Sequence, residues 1–405
     1  MPPPSTGAAV LVPPSAPAGA QDGRPVPGGS HRRRLSVCLY TPSVDPSGMG
    51  SHMVDLAAEY QPDVVVTVMA WRTPAGERLL AEASAVGATP VPLPHPRDPA
   101  FGRTVEERLR EHPVDVFHLH VGTGREDFDG ARAARSAGVG AVVETVHLPW
   151  AMGSPKHRVP FFASIEPVDR LIAVSELQRR TYERIGVPRE LLRTVPNGIR
   201  SRGPGPGRAA ARSSLGLDDT RPVVLTIGRL MGQKGHRYLV EALPELVRRF
   251  PDVAVVIIGQ GTLRERLREQ AAELGVADHL HLPGYRADAR MLLDAADVFA
   301  LPSRQEAMPL AALEAMDASL PVVATRVYGS AEVVVHRETG LLVPPQDAGA
   351  LAQAIGELLA DPGLRRRYAA AGREHYLRHH TSARMAAQTL AVYDEALAGV
   401  SVDRG

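Results

Sequence analysis

The chain has 405 residues, 44% of them apolar, enough for two or three cored domains. A formal charge of +1 and 4% aromatic residues leave neither a long-range field nor stacking platforms for a polynucleotide, which excludes nucleic acid as the expected partner. Cys38 is the single cysteine, so no internal disulfide forms; in the apolar run Leu35 to Tyr40 it reads as core in a reduced compartment.

Residues 1–34 are rich in Pro, Ala, Gly and Ser and end in His31-Arg32-Arg33-Arg34. Such a composition buries too little apolar surface to offset its ordering entropy, and a disordered tail is expected. The apolar patch from Ala8 to Val12 is interrupted by prolines and follows no basic region, unlike a secretion signal. No later run reaches the ~18 apolar residues of a membrane span, so membrane association is not indicated and a cytoplasmic protein is expected.

From Leu35 onward short apolar runs alternate with longer amphipathic segments, the pattern of parallel strands joined by crossover helices. Strands are predicted at Leu35 to Tyr40, Val64 to Ala70, Val114 to Leu119, Ala141 to Val146, Leu171 to Val174 and Leu192 to Val195. The stretch Ser201-Arg202-Gly203-Pro204-Gly205-Pro206-Gly207 then reads as the start of an interdomain linker, 201–221, and as a hinge. The rhythm restarts with Val223 to Ile227, Val253 to Ile258, His279 to Leu282, Val298 to Leu301 and Val322 to Thr325. The reading is an α/β protein with two parallel-sheet domains in tandem, 35–200 and 222–380, and a final helix within 381–405 that crosses back to the first. Ligands of such sheets bind outside the carboxyl ends of the strands, so two facing sheets form an interdomain cleft.

Lys156 and Lys234 are the only lysines, and Lys234 lies in a Gln233-Lys234-Gly235 turn shortly after Gly228-Arg229-Leu230. Both turns follow the strand Val223 to Ile227, which puts Arg229 and Lys234 at a strand's carboxyl end. A sugar leaving its nucleoside diphosphate sheds a diphosphate whose charge grows in the transition state, and fixed cations stabilise it. Glu306 follows the turn Pro302-Ser303, and Glu314 lies inside a helical run starting near Pro309, a residue suited to the first helical position. The N-terminus of that helix offers free N–H groups to phosphate. A carboxylate ahead of it accepts sugar hydroxyls, and one further inside accepts both hydroxyls of a ribose. Taken singly, the cations are solvated turn residues and the acids complement the helix dipole by ~0.3–1 kcal/mol.

His118 and His120 alternate on one strand and share a face, an incomplete ligand set, so no metal is expected. His147 ends a strand, a position that by itself suits a satisfied buried histidine. Gly259-Gln260-Gly261 supports a strand-turn-helix unit and little more.

Gly-Arg-Leu, Lys-Gly, Pro-Ser, Glu306 with Glu314-Ala-Met, and Gly340-Leu-Leu-Val-Pro-Pro together resemble the retaining glycosyltransferases of family four. The first half adds Ser47-Gly48-Met49-Gly50-Ser51-His52, His118-Leu119-His120, Glu144-Thr145-Val146-His147, Ile172-Ala173-Val174-Ser175 and Val195-Pro196-Asn197-Gly198. The resemblance implies a GT-B fold of two Rossmann-like domains that transfers a sugar, with a UDP-sugar as the first expectation, to a hydroxyl of a small-molecule or lipid-linked acceptor. It implies no metal and no cofactor beyond the nucleotide sugar. By the same resemblance Arg229 and Lys234 bind the diphosphate, Glu306 the sugar and Glu314 the ribose. The backbone at Met308 and Leu310 nears the phosphates, Gly48 and Gly50 admit the donor, and His147 stands beside the reacting carbon. His52 and His120 lie on the acceptor side. Ala307 stands where the family has glycine, Pro309 lacks an N–H, Ser330 replaces the second glycine before Glu332, and Arg200 stands where aspartate is common.

A nicotinamide-dependent dehydrogenase is disfavoured because no Gly-x-Gly-x-x-Gly follows the first strand and Val64 to Ala70 leads into Trp71-Arg72, not into an acid. A phosphorylase or sugar-phosphate synthase of the same fold needs further cations beside the acceptor, for which Lys156, His157 and Arg158 are candidates. A non-catalytic sugar-nucleotide sensor is opposed by the retained charges.

Overall fold

A computed structural model describes residues 33–95, 98, 101–122, 129–148 and 155–403. The expected tail, apart from Arg33 and Arg34, lies outside the described residues. The first half contains β1 (Ser36–Tyr40), α1 (Ser47–Glu59), β2 (Val65–Trp71), α2 (Pro74–Ala85), β3 (Thr89–Leu93) and α3 (Phe101–Glu111). It continues with β4 (Val116–Val121), α4 (Asp129–Ser136), β5 (Ala141–Val146), α5 (Pro155–Ile165), β6 (Arg170–Ala173), α6 (Glu176–Arg184) and β7 (Leu192–Thr194). The second half runs α7 (Arg208–Ser214), β8 (Val223–Ile227), α8 (His236–Arg249), β9 (Ala254–Ile258), α9 (Arg264–Glu273), β10 (Leu280–Gly284) and β11 (Val298–Leu301). It ends with α10 (Leu310–Asp317), β12 (Val322–Thr325), α11 (Ser330–Val333), β13 (Gly340–Val343), α12 (Ala348–Ala360), α13 (Pro362–His379) and α14 (Ser382–Asp403).

Both sheets are parallel and wound alike, in the orders β3-β2-β1-β4-β5-β6-β7 and β10-β9-β8-β11-β12-β13. The winding reverses between β1 and β4 in one sheet and between β8 and β11 in the other. These switch points open crevices at the carboxyl ends of the strands. The central strands β1, β4, β5, β9, β11 and β12 are buried at every position, which is why they are rich in apolar residues on both faces; β4 and β5 add the buried His118, His120, Glu144 and Thr145.

Two strands escaped the apolar-run reading, and both are edges. β3 carries Pro90 and Pro92, which donate nothing to a ladder and are tolerated only at an edge. β13 has only four residues, starting from Gly340, whose missing Cβ admits the carbonyl of Val322.

The glycine-rich stretch is not a free linker throughout 201–221. Within it α7 packs on the second domain, where the buried Arg212 donates to the carbonyls of Ala295, Asp218 and Asp219 and pairs with Asp297 at 3.0 Å. Arg202 likewise pairs with Asp294. A buried guanidinium must be satisfied on every side, and that requirement fixes the segment in place. The chain instead passes between the sheets where Ile199 bridges Thr381, and a Cβ at Gly198 would lie 2.2 Å from the Thr381 carbonyl oxygen.

After this second crossing α14 packs on the first domain, burying Met385, Val392 and Tyr393 with Val37, Leu39 and Leu56. Glu332 ties the halves again: its carboxylate accepts from the amides of Glu176 and Leu177 at 2.9 and 2.8 Å, satisfying donors at the start of α6.

Candidate active site

The second domain builds its site at the β8/β11 switch point. Gly228-Arg229-Leu230 leaves β8, and a single 3-10 turn over Gly232–Lys234 carries the lysine. Gly235 closes that turn with φ +64, and a Cβ there would meet the Pro302 carbonyl oxygen at 2.1 Å. Only glycine lets the lysine turn lie against the loop after β11. Two hydrogen bonds stitch these loops, Arg304 N–H to the Gln233 carbonyl at 2.8 Å and Gln233 Nε2 to the Gln305 carbonyl at 3.1 Å.

The consequence is that Lys234 Nζ donates to Glu306 Oε1 at 2.7 Å, and Ser303 Oγ donates to the same oxygen at 2.7 Å. Glu306 is buried while Lys234 keeps part of its surface. Arg229 reaches across to Asp45 of the first domain at 3.9 Å, a half-exposed and weak contact. Pro309 is the N-cap of α10 and not its first residue, so the helix offers the first-turn amides of Leu310 and Ala311. Glu314 lies one turn further on, 3.6 Å from Arg290 Nε; burial raises its carboxyl above the ordinary value, and Arg290 opposes that shift. Ala307 packs in the core, and the absent Cβ of Gly329 leaves room for the Ala307 carbonyl. Ser330, the glycine-to-serine departure, starts α11 and is not among the non-glycine residues with positive φ, so its backbone does not require glycine.

In the first domain the strand register sets His120 opposite Thr145, so His147, one residue past β5, comes beside the end of β4. His120 Nδ1 lies 3.3 Å from His147 Nε2, and the His52 ring meets the His147 ring edge-on with centroids 4.8 Å apart. Burial holds all three imidazoles neutral: His52 is pushed down to about 4, and His120 and His147 fall well below their ordinary range. His118 is set apart, because Tyr393 Oη at 2.6 Å and Thr145 Oγ1 at 2.7 Å occupy its two ring nitrogens.

The two groups meet across the cleft. His52 Nδ1 is 3.1 Å from Asn197 Oδ1, and Asn197 Nδ2 donates to the Met308 carbonyl at 3.0 Å. A Cβ on Gly48 would touch Leu310 Cδ1 at 3.5 Å, so this glycine faces the start of α10. Gly50 does not join it: its amide bonds the Pro46 carbonyl at 3.0 Å, and its Cβ position faces Pro46 and Leu79. Its smallness serves α1 packing, and its N–H is not offered to a phosphate.

Asp45, Asn197, Ser303 and Arg290 join the site without having been singled out. Asp45, Asn197 and Arg290 meet partners distant in the chain, whereas Ser303 bonds Glu306 three residues on; only the Val195-Pro196-Asn197-Gly198 and Pro-Ser motifs marked two of the four.

Two facing parallel sheets with their switch points turned to one cleft define the GT-B class of glycosyltransferase. Residues 207–375 match the model of Glycosyl transferases group 1, and residues 46–201 match that of Glycosyltransferase Family 4. A GDP-mannose-dependent alpha-(1-6)-phosphatidylinositol monomannoside mannosyltransferase of Mycolicibacterium smegmatis is 37% identical over 59% of this chain and 65% of its own length. A phosphatidyl-myo-inositol mannosyltransferase of the same organism is 32% identical over 88% of this chain and 92% of its own. Anabaena HepE, solved with UDP and glucose, superposes with a TM-score of 0.77 at 22% identity, covering 89% of this chain and 100% of that one. Sucrose-phosphate synthase of Thermosynechococcus elongatus gives 0.72 at 23% identity, covering 90% and 100%. The chain belongs to glycosyltransferase family 4 and is a glycosyltransferase.

Proposed function

We propose that this enzyme moves a sugar, with retention of anomeric configuration, from a nucleoside diphosphate sugar to a hydroxyl of a small-molecule or lipid-linked acceptor. The observation that carries the reading is the 2.7 Å pair of Lys234 and Glu306 at the β8/β11 switch point, beside the start of α10. A cation, a carboxylate and helix amides are what a departing diphosphate and the hydroxyls of its sugar require. In this reading Lys234 and Arg229 neutralise the leaving diphosphate, Glu306 accepts donor-sugar hydroxyls, and Glu314 accepts those of the ribose. His147 stands beside the reacting carbon with a neutral ring. A leaving phosphate oxygen takes the acceptor proton on the same face, so the sugar keeps its configuration.

The relatives named for GDP-mannose at 37% and 33% identity favour a GDP-sugar over the UDP-sugar first expected, and GDP-mannose is the donor to try first. The chain's own cations supply the positive charge, so activity is expected to survive chelation. The test is release of nucleoside diphosphate from GDP-mannose and from UDP-glucose, with a panel of hydroxyl acceptors and with EDTA added. Release from one donor, undiminished by EDTA, supports the reading. No release from any donor, or loss in EDTA restored by a divalent ion, contradicts it.

A further inference from the structure

The histidine group on the first domain holds more than one catalytic ring requires. His52 on α1, His120 at the end of β4 and His147 just past β5 each offer one nitrogen, and these nitrogens lie within 4.8 Å of one another. Zinc binds imidazole at ~2.0–2.1 Å, which sets tetrahedral ligands about 3.4 Å apart. His120 Nδ1 and His147 Nε2 already stand at 3.3 Å, so a small closing movement of His52 completes the triangle.

The surroundings favour ligation. Asn197 Nδ2 donates to the Met308 carbonyl, so its Oδ1 accepts from His52 Nδ1–H and leaves His52 Nε2 with a free lone pair. This is the second-shell arrangement that orients a metal-binding imidazole. His120 is fully buried, and its Nδ1, the nitrogen that faces His147, is the one that would ligate. His118 is no ligand, since both its nitrogens are bonded. His147 alone of the three is partly exposed, so a fourth coordination position opens to the cleft.

We propose that His52, His120 and His147 form a three-imidazole site for a divalent transition metal, zinc foremost, and that filling it inhibits the enzyme. Binding stands on this geometry alone. Inhibition rests on the transferase reading, in which a metal ion takes the His147 lone pair and fills the space beside the reacting carbon.

The test loads full-length protein with Zn2+, removes excess by dialysis and counts the retained metal; Co2+ serves as the spectroscopic probe. One retained equivalent is expected, weakened more than ~10-fold in both His52→Gln and His120→Gln. His379→Gln, on the separate His375/His379 pair of α13, is expected to retain it. Bound Co2+ is expected to show the visible absorption of a four-coordinate centre. Loss of the equivalent in His379→Gln instead, retention in both triad variants, or no retained metal overturns the site. Thermal unfolding in metal-free buffer separates lost ligation from lost fold, and the wild-type Co2+ spectrum decides the matter if neither triad variant folds. Donor turnover is expected to fall in step with zinc occupancy and return with EDTA. Full turnover at one bound equivalent overturns the inhibition but not the site, and absence of turnover with every donor overturns the transferase reading while the metal count still decides the binding.

Discussion

Lys234 Nζ and Glu306 Oε1, 72 residues apart in sequence, meet at 2.7 Å in the cleft wall of the second domain. In the proposed function the pair holds the lysine where a diphosphate oxygen can replace Glu306 as its hydrogen-bond acceptor, which frees the carboxylate for the sugar. Lys234→Ala and Glu306→Gln are each expected to lower turnover at least ~100-fold, the scale of a lost transition-state contact. Glu306→Gln keeps the shape and an acceptor for Ser303 Oγ, so its defect reads the charge. Steady-state kinetics with unchanged circular dichroism checks this; near-normal turnover in either variant contradicts the roles.

Asn197 links the His52 ring to the Met308 carbonyl, one side chain joining the two halves of the site. Asn197→Ala is expected to cost about 1–3 kcal/mol of stability, because both buried partners lose a hydrogen bond. Donor KM is expected to rise with it as the loop before α10 loosens. Urea unfolding alongside donor-dependent kinetics measures both; an unaltered KM contradicts the link.

Gly235 must stay glycine if the lysine turn is to reach its place. Gly235→Ala puts a Cβ 2.1 Å from the Pro302 carbonyl oxygen at φ +64, at a cost of at least ~2 kcal/mol. Gly232→Ala, in the same turn with nothing within 4 Å, is expected to change stability by less than ~0.5 kcal/mol. Equal denaturation midpoints for the two variants contradict the steric argument.

Acid is expected to unfold the protein through its buried histidines. His52 is pushed down to about 4 and His236 to about 3, both chiefly by burial, against about 6.5 in an unfolded chain. Below pH ~6.5 the unfolded chain takes protons that the folded one refuses, so stability present above that pH is lost as pH falls towards 4. His52 alone accounts for on the order of 3 kcal/mol across that window. Urea midpoints from pH 7.5 to 4.5 test the sign; a midpoint that holds level or rises contradicts it.

Val253 to Ile258 read clearly from sequence because burial on both faces demands uninterrupted apolar residues. The edge β3 carries two prolines and exposed positions and leaves no such mark, while β13, apolar and buried throughout, is marked only by the Gly340-Leu-Leu-Val-Pro-Pro motif. Arg229, Lys234 and Glu306 stood out in the sequence because each follows a strand and a glycine or proline turn, and Glu314 because it lies in the helix after Pro309; the fold brings Lys234 and Glu306 into contact. Arg290 beside Glu314 and Asp45 beside Arg229 did not stand out, since those contacts exist only once the chain has folded. The histidine group hid for the same reason: the 3.3 Å approach of His120 to His147 is a product of strand register. Gly50 shows how a glycine at a helix start, expected to admit the donor, also serves packing against Pro46 and Leu79.

A crystal structure with GDP bound tests the central claim most directly. The β-phosphate oxygens are expected within hydrogen-bond reach of Lys234 Nζ and the Arg229 guanidinium, with the ribose hydroxyls towards Glu314. Nucleotide bound elsewhere, with Lys234 still held by Glu306 and Arg229 turned to solvent, would contradict it.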